Sequence, residues 1–322
     1  MIERKLGSAT RDAYGKALVE IGREMPEVVV MDADLSKSTK TEMFGKAYPD
    51  RFIDIGIQEA NLVGIASGLA SCGKIPFISS FACFLMCKGF EQLRVGVSFS
   101  ELNVKVVTSH GGISVGEDGA SQQSVEDFAL ALSLPHFTVM CPADEFETLS
   151  LVKQAARLKG PVYIRTGRPK APWVYDEKTV FQIGKGISLK AGKDVTLIGT
   201  GLLVFECLQA AEILKEKGID ASVVDIHTLK PIDRELLLAE ARKTRAFVVA
   251  EEHLVLGGLG GVVSHVVSQE FPVPIEFVGI QDTYAESGRP DELLEKYGLT
   301  AKHVAEAAQK AISRKSKQPA II

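Results

Sequence analysis

Short runs rich in valine and isoleucine, each followed by a stretch with helical spacing, constrain this chain more than any other feature. VVVMDAD ending at Asp34, FIDIG, IPFISS, NVKVVTSH, FTVMCP and PVYIRTG follow one another, interleaved with helical patterns over about 9–24, 59–70, 84–97, 125–134 and 144–158. Ser8 is placed to cap the first helix, and LSKSTKT after Asp34 reads as a polar loop. Apolar strands alternating with helices form parallel sheets covered on both faces. A second series, GISLKAG, DVTLIGTG, ASVVDIHTL, AFVVAEEH and IEFVGI, repeats the order with helices of its own and ends in two more. Between them RPKAPWVYDEKTVFQIGK carries two prolines, the single Trp and no periodicity. The expectation is an α/β protein of two doubly wound domains, each a mostly parallel sheet flanked by helices. These are residues 1–166 and 186–322, joined by a linker over 167–185, with SRKSKQPAII as a frayed tail.

A chain of 322 residues suffices for two such cores. Its net charge of -4 offers no basic field for nucleic acid, and its longest apolar run, IPFISSFACFLMC, is too short to span a bilayer. The start MIERKLGSATRDAY lacks the apolar core of a signal peptide, and five scattered cysteines without CxxC spacing fit a reducing, cytoplasmic setting. Cys83 and Cys87 share a helix face, but no third ligand completes a metal site, so buried thiols are expected there.

In parallel sheets ligands gather at the carboxyl ends of the strands. Asp34, Glu59, Phe81, His110 and Arg165 all lie at or just past such ends. In DIGIQEANLVGIASGLA the chain turns through Gly56 into a helix whose first turn holds Glu59. A carboxylate there is either a complement to the helix dipole or a chemical group. The loop GGISVGEDGASQQ combines backbone freedom with the polar groups of Glu117, Asp118, Ser121, Gln122 and Gln123, which suits a ligand. Phe81 and Phe84 serve either as core or as a platform for a planar ring. Gly199-Thr200-Gly201 lacks the third glycine of a dinucleotide fingerprint, and Gly192-Lys193 lacks the hydroxyl residue of a P-loop.

The Glu59 segment, SSFACFLMCKGFEQLR, SHGGISVGEDGASQQSVED and YIRTGRP, in this order and spacing, resemble the pyrimidine-binding domain of transketolases, and residues from about 186 onward resemble that family's C-terminal domain. The resemblance implies thiamine diphosphate as cofactor. Glu59 then bonds the aminopyrimidine ring and shares a proton with it, Phe81 and Phe84 pack that ring, Asp34 lies beside the thiazolium, and Ile57 completes the cofactor contacts. Cys87 stands where some members carry a third aromatic. Asp118 contacts substrate hydroxyls, and Ser38, His110 and either Arg168 or Arg165 hold a sugar phosphate, with the Ser-Arg pattern of some members favouring Arg168. Gln122 falls where many members carry a proton-transferring histidine.

Members of the family hold the diphosphate through Mg²⁺ or Ca²⁺ on a Gly-Asp-Gly segment with a later Asn in another domain. This chain has no Gly-Asp-Gly, and its only asparagines are Asn61 and Asn103. The resemblance therefore implies half of an active site, the C-terminal subunit of a split transketolase that pairs with a separate N-terminal subunit in an α2β2 heterotetramer and moves a two-carbon ketol unit between phosphorylated sugars. The β subunit of a 2-oxoacid dehydrogenase and a non-catalytic scaffold subunit are the alternatives.

Overall fold

The structure is a computed structural model that describes residues 2–316. The chain opens with strand β1 (Leu6–Ala9), helix α1 (Thr10–Glu24) and strand β2 (Val28–Asp32). Short helices α2 (Ser36–Thr39) and α3 (Glu42–Ala47) lead to β3 (Phe52–Asp54) and α4 (Glu59–Ser71). Then come β4 (Ile75–Ser79), α5 (Ala82–Lys88), α6 (Phe90–Gln92) running into a π-helical turn over Leu93–Phe99, and β5 (Lys105–Thr108). The first series closes with α7 (Asp127–Ser133), β6 (Thr138–Met140), α8 (Glu145–Arg157) and β7 (Val162–Arg165). After β8 (Lys170–Pro172) the second series runs β9 (Ile187–Lys190), β10 (Val195–Gly199), α9 (Leu203–Glu216), β11 (Ala221–Asp225), β12 (Thr228–Lys230), α10 (Arg234–Thr244), β13 (Phe247–Leu254), α11 (Leu259–Glu270) and β14 (Ile275–Ile280). Helices α12 (Pro290–Lys296) and α13 (Ala301–Ser316) end the described chain.

Two sheets result. One has the order β12-β6-β7-β5-β4-β2-β3 and is parallel except for β12; the other has the order β14-β13-β10-β11-β9 and is parallel except for β9. Every residue of β2, β5, β7, β10 and β11 is buried, as continuous Val/Ile runs require when helices cover both faces. Asp144 and Asp233 cap α8 and α10, accepting the Glu147 and Leu236 amides at 3.1 Å each.

The structure adds detail to the expectations at several points. Ser8 lies in β1, and Ala9 occupies the N-cap of α1 without a side-chain bond. The LSKSTKT loop folds into α2 because buried Asp32 accepts bonds from the Leu35 amide and the Thr39 and Thr41 hydroxyls, at 2.7, 2.6 and 2.8 Å. ASVVDIHTL divides: β11 stays in the second sheet, while β12 pairs with β6 in the first, Thr228 facing Met140. Residues 167–185 are tied down, since β8 pairs with β1 and Asp144 Oδ2 accepts the amides of Val174 and Tyr175 at 2.9 Å each. One apolar cluster accordingly runs from Met31, Ile78 and Val106 of the first series to Ile198, Val224 and Phe247 of the second. Of the tail, Ser313–Ser316 is helical in α13, and residues 317–322 lie outside the described residues.

Candidate functional site

The carboxyl ends of β2, β3, β4 and β5 converge on one rim. Asp34, just past β2, takes a left-handed backbone with φ 62°, and His110, past β5, does the same at φ 60°. Non-glycine residues hold this conformation only where the surroundings enforce it. For Asp34 two carboxylates do so, one exposed and one buried. Asp54, ending β3, accepts the amides of Asp34 and Gly56 through one oxygen at 3.0 Å each, while Asp32 fixes the chain on the other side. Burial pushes the Asp32 carboxyl up to about 6, against the pull of its hydroxyl and amide donors.

Glu59 opens α4 with only 3% of its surface exposed. Its carboxylate has two contacts, both long: the Ser80 hydroxyl at 3.4 Å on Oε1 and the Lys88 ammonium at 3.5 Å on Oε2. Beside it Phe81, at the N-cap of α5, stacks on Phe84 with ring centres 5.5 Å apart and planes 19° apart, and on the His110 imidazole at 3.7 Å and 21°. Lys88 Nζ stands 4.5 Å from the Phe84 ring centre, a cation over the end of the stack. Ile57 is 71% exposed on the turn leading to Glu59. A buried, under-bonded carboxylate next to flat apolar rings accommodates a planar molecule whose edge donates hydrogen bonds.

Past His110 the glycine-rich loop turns at Gly112, Gly116 and Gly119, with φ of 78°, 83° and 81°. Gln123, expected among its ligand groups, is buried and instead pins the loop, its Nε2 donating to the carbonyls of Ile113, Gly116 and Glu286. Glu117, Asp118 and Ser121 remain exposed and Gln122 half-buried, its Oε1 accepting from Ser121. Cys83 and Cys87 are not the buried pair expected: Cys83 is half-buried against the Gln122 carbonyl and Cys87 is exposed.

A cationic cluster faces this loop. Arg168 Nη1 donates to the Glu117 carboxylate at 2.8 Å and to the Val115 carbonyl. Arg11, from the first turn of α1, donates to the Ser38 carbonyl at 3.0 Å, while its Nε is buried without a partner. Burial lowers the Arg11 pKa, Asp118 opposes the shift and Arg168 adds to it, so these three charges are neighbours. His110, 2% exposed with Nδ1 bonded to the Ser109 hydroxyl at 2.8 Å, is pushed down to about 3 by burial and then by Arg11 and Arg168. Its imidazole is neutral near pH 7. Arg165 stands apart. It is 4% exposed, donates Nη2 to the Glu252 carbonyl at 2.7 Å, lies 3.5 Å from Asp127 and covers the Phe128 ring.

Reading strand ends alone misses Arg11, which reaches the rim from a helix start, and Lys88, which arrives from the end of α5. The only sequence signal for Asp32 is its position two residues before Asp34.

Residues 7–173 match the family described as transketolase, pyrimidine binding domain, and residues 184–304 match transketolase, C-terminal domain. The chain belongs to the transketolase family. It is 44% identical to a Methanocaldococcus jannaschii protein described as "Putative transketolase C-terminal section", over 92% of this chain and 93% of that one. It is 40% identical to a 6-deoxy-6-sulfo-D-fructose transketolase subunit of Clostridium sp. (strain MSTE9), over 95% of each. Among solved structures, one titled "Split gene transketolase, inactive beta4 tetramer" superposes with a TM-score of 0.90 and 52% identity, covering 96% of this chain and 100% of that one. As a transketolase relative, the chain carries its loop glycines, its Glu59 helix and its aromatic stack within the pyrimidine-binding match, and α9 to α11 within the C-terminal one.

Proposed function

We propose that this chain is the C-terminal subunit of a two-subunit, thiamine-diphosphate-dependent transketolase that transfers a two-carbon ketol unit from a ketose phosphate to an aldose phosphate. The observation that carries this reading is the buried Glu59 carboxylate, held by only two long contacts beside the stacked rings of Phe81 and Phe84. These residues suit an aminopyrimidine ring, with Ile57 and Asp34 at the exposed side and Cys87 leaving the third wall open. When bound, the cofactor supplies the carbon centre at which the carbon–carbon bond of the donor is broken and remade.

The chain's own groups do the rest. Glu59 would meet the pyrimidine edge in a water-poor setting, where a carboxyl can share a proton across one hydrogen bond. Asp118 orients sugar hydroxyls, and Gln122 positions a polar group of the substrate without itself titrating. Arg168, Arg11, Ser38 and neutral His110 receive the terminal phosphate: two guanidiniums that repel one another gain most from a dianion between them, and His110 donates without adding charge. Arg168 is preferred to Arg165 in this proposal because Arg165 is 4% exposed and turned onto Asp127, the Glu252 carbonyl and the Phe128 ring.

No group of three or more His, Cys, Asp or Glu among the described residues is arranged to hold a metal. In this proposal the diphosphate and its Mg²⁺ or Ca²⁺ are held by a separate N-terminal subunit, in a cytoplasmic α2β2 assembly. The solved relative's title supports this division, because it describes a split-gene transketolase whose β4 tetramer is inactive. The Clostridium relative's name points to a sulfonated sugar, another tetrahedral oxyanion that the same arginines could receive, and the phosphate remains the primary reading. The test is to capture partners of the full chain from native extract and assay the complex. Ketol transfer between sugar phosphates supports the proposal. Decarboxylation of a 2-oxoacid would instead favour a dehydrogenase subunit, and an inactive complex indifferent to changes at Glu59 a scaffold.

A further inference from the structure

Away from the rim, a cavity of about 470 Å³ lies where β1, β8, the glycine-rich loop and the starts of α9, α12 and α13 meet. Its size is in the range of small-molecule sites. Leu6, Leu202, Leu203, Leu294 and Leu299 give it apolar walls. Its polar groups divide into those already satisfied and those not. Glu206 and Arg4 pair with each other, and the second Glu206 oxygen accepts the Ala301 amide at 2.8 Å, so the start of α13 is already capped. Asp291, on the same wall, lies 3.9 Å from Arg289, whereas Lys170 and Lys302 form no ion pair among the described residues. Ser114 also lines the cavity, as a residue 1% exposed whose hydroxyl is sealed from it.

We propose that this cavity is a second ligand site, taking a small organic anion with an apolar body: the body lies between the leucines and the negative group meets Lys170 and Lys302. The site is separate from the Glu59 rim, yet it borders it. Ser114 precedes Val115, whose carbonyl accepts from Arg168, and Pro169 follows Arg168. A bound ligand thus touches residues flanking both ends of the hydrogen bond that positions the anion-binding arginine.

The test uses the full chain and a matched pair of fluorescent probes, anionic 1-anilinonaphthalene-8-sulfonate and its uncharged analogue N-phenyl-1-naphthylamine. The expected result is one saturable site per chain for the anion. Lys170→Glu with Lys302→Glu, both on exposed side chains, should weaken it by about tenfold and leave the neutral probe nearly unchanged. Leu6→Trp fills the cavity from a position 57% exposed, with little risk to the core, and should remove that site for both probes. Anion binding indifferent to the charge reversals and to Leu6→Trp overturns the proposal. An equal loss of both probes on charge reversal overturns its anionic half.

Discussion

Replacing Arg168 by Ala tests the anion pocket in a way that separates binding of the phosphate from support of the fold. The side chain is about one-third exposed and already donates to Glu117 and Val115, so the guanidinium competes with solvent and with a carboxylate for the substrate. A charge-assisted hydrogen bond is worth about 1.5–3 kcal/mol, or about 10 to 150-fold, and the exposure places Arg168 in the lower part of that range. In the reconstituted complex, kcat/KM for phosphorylated sugars should fall by about 10 to 30-fold, while unphosphorylated acceptors change little. The pH profile sharpens the test. A sugar phosphate gains its second charge near pH 6, so the preference for phosphorylated substrates should rise as pH passes upward through about 6. His110, pushed down to about 3, adds no step between pH 5 and 8, and His110→Asn should leave the inflection in place. Equal losses for both substrate kinds, or an inflection that disappears with His110, would refute the reasoning.

Two further outcomes follow from the buried carboxylates. Glu59→Gln keeps the shape and loses the proton, so in the complex exchange of the thiazolium proton for deuterium should slow by about 10² to 10⁴-fold, and an unchanged rate removes Glu59 from that step. Asp225, buried beside Glu147 and Asp144 and bonded by Tyr175 at 2.6 Å, is pushed up to about 7 chiefly by desolvation. A raised folded pKa means that the native state binds the proton more tightly than the unfolded chain, so this contribution is present below about 4 and is lost as pH rises to about 7. Asp225→Asn should flatten that fall relative to the parent in denaturant titrations from pH 4 to 7, and a parallel profile contradicts it.

The alternation of strands and helices was legible because parallel strands buried on both faces cannot help reading as Val/Ile runs; β2, β4, β5 and β7 begin and end within about two residues of where the sequence puts them. What escaped depends on distant partners. Thr228–Lys230 looks like the continuation of β11, and only its pairing with Thr138–Met140 shows that it belongs to the other sheet. Lys170–Pro172 has nothing of a strand about it until β1 lies alongside. At the site, the strand-end rule located Asp34, Glu59, Phe81 and His110 on one rim, and the stacking of Phe81 on His110 follows from the parallel bridge between Phe81 and Ser109. The same rule pointed to Arg165 and only the resemblance to Arg168, because position along a strand does not say which face the side chain takes. Arg165 turns inward onto Asp127, Arg168 outward onto the loop. Arg11 and Lys88 sit on helices and had no local signal at all.

Calorimetric titration of thiamine diphosphate with Mg²⁺ into the purified chain, alone and then with its captured partner, tests most directly whether this chain carries only the pyrimidine half of a shared site. The account predicts weak binding and no ketol transfer by the chain alone, then tight binding near one cofactor per pair of subunits, with turnover, once the partner is added. Tight stoichiometric binding accompanied by turnover in the isolated chain would contradict it.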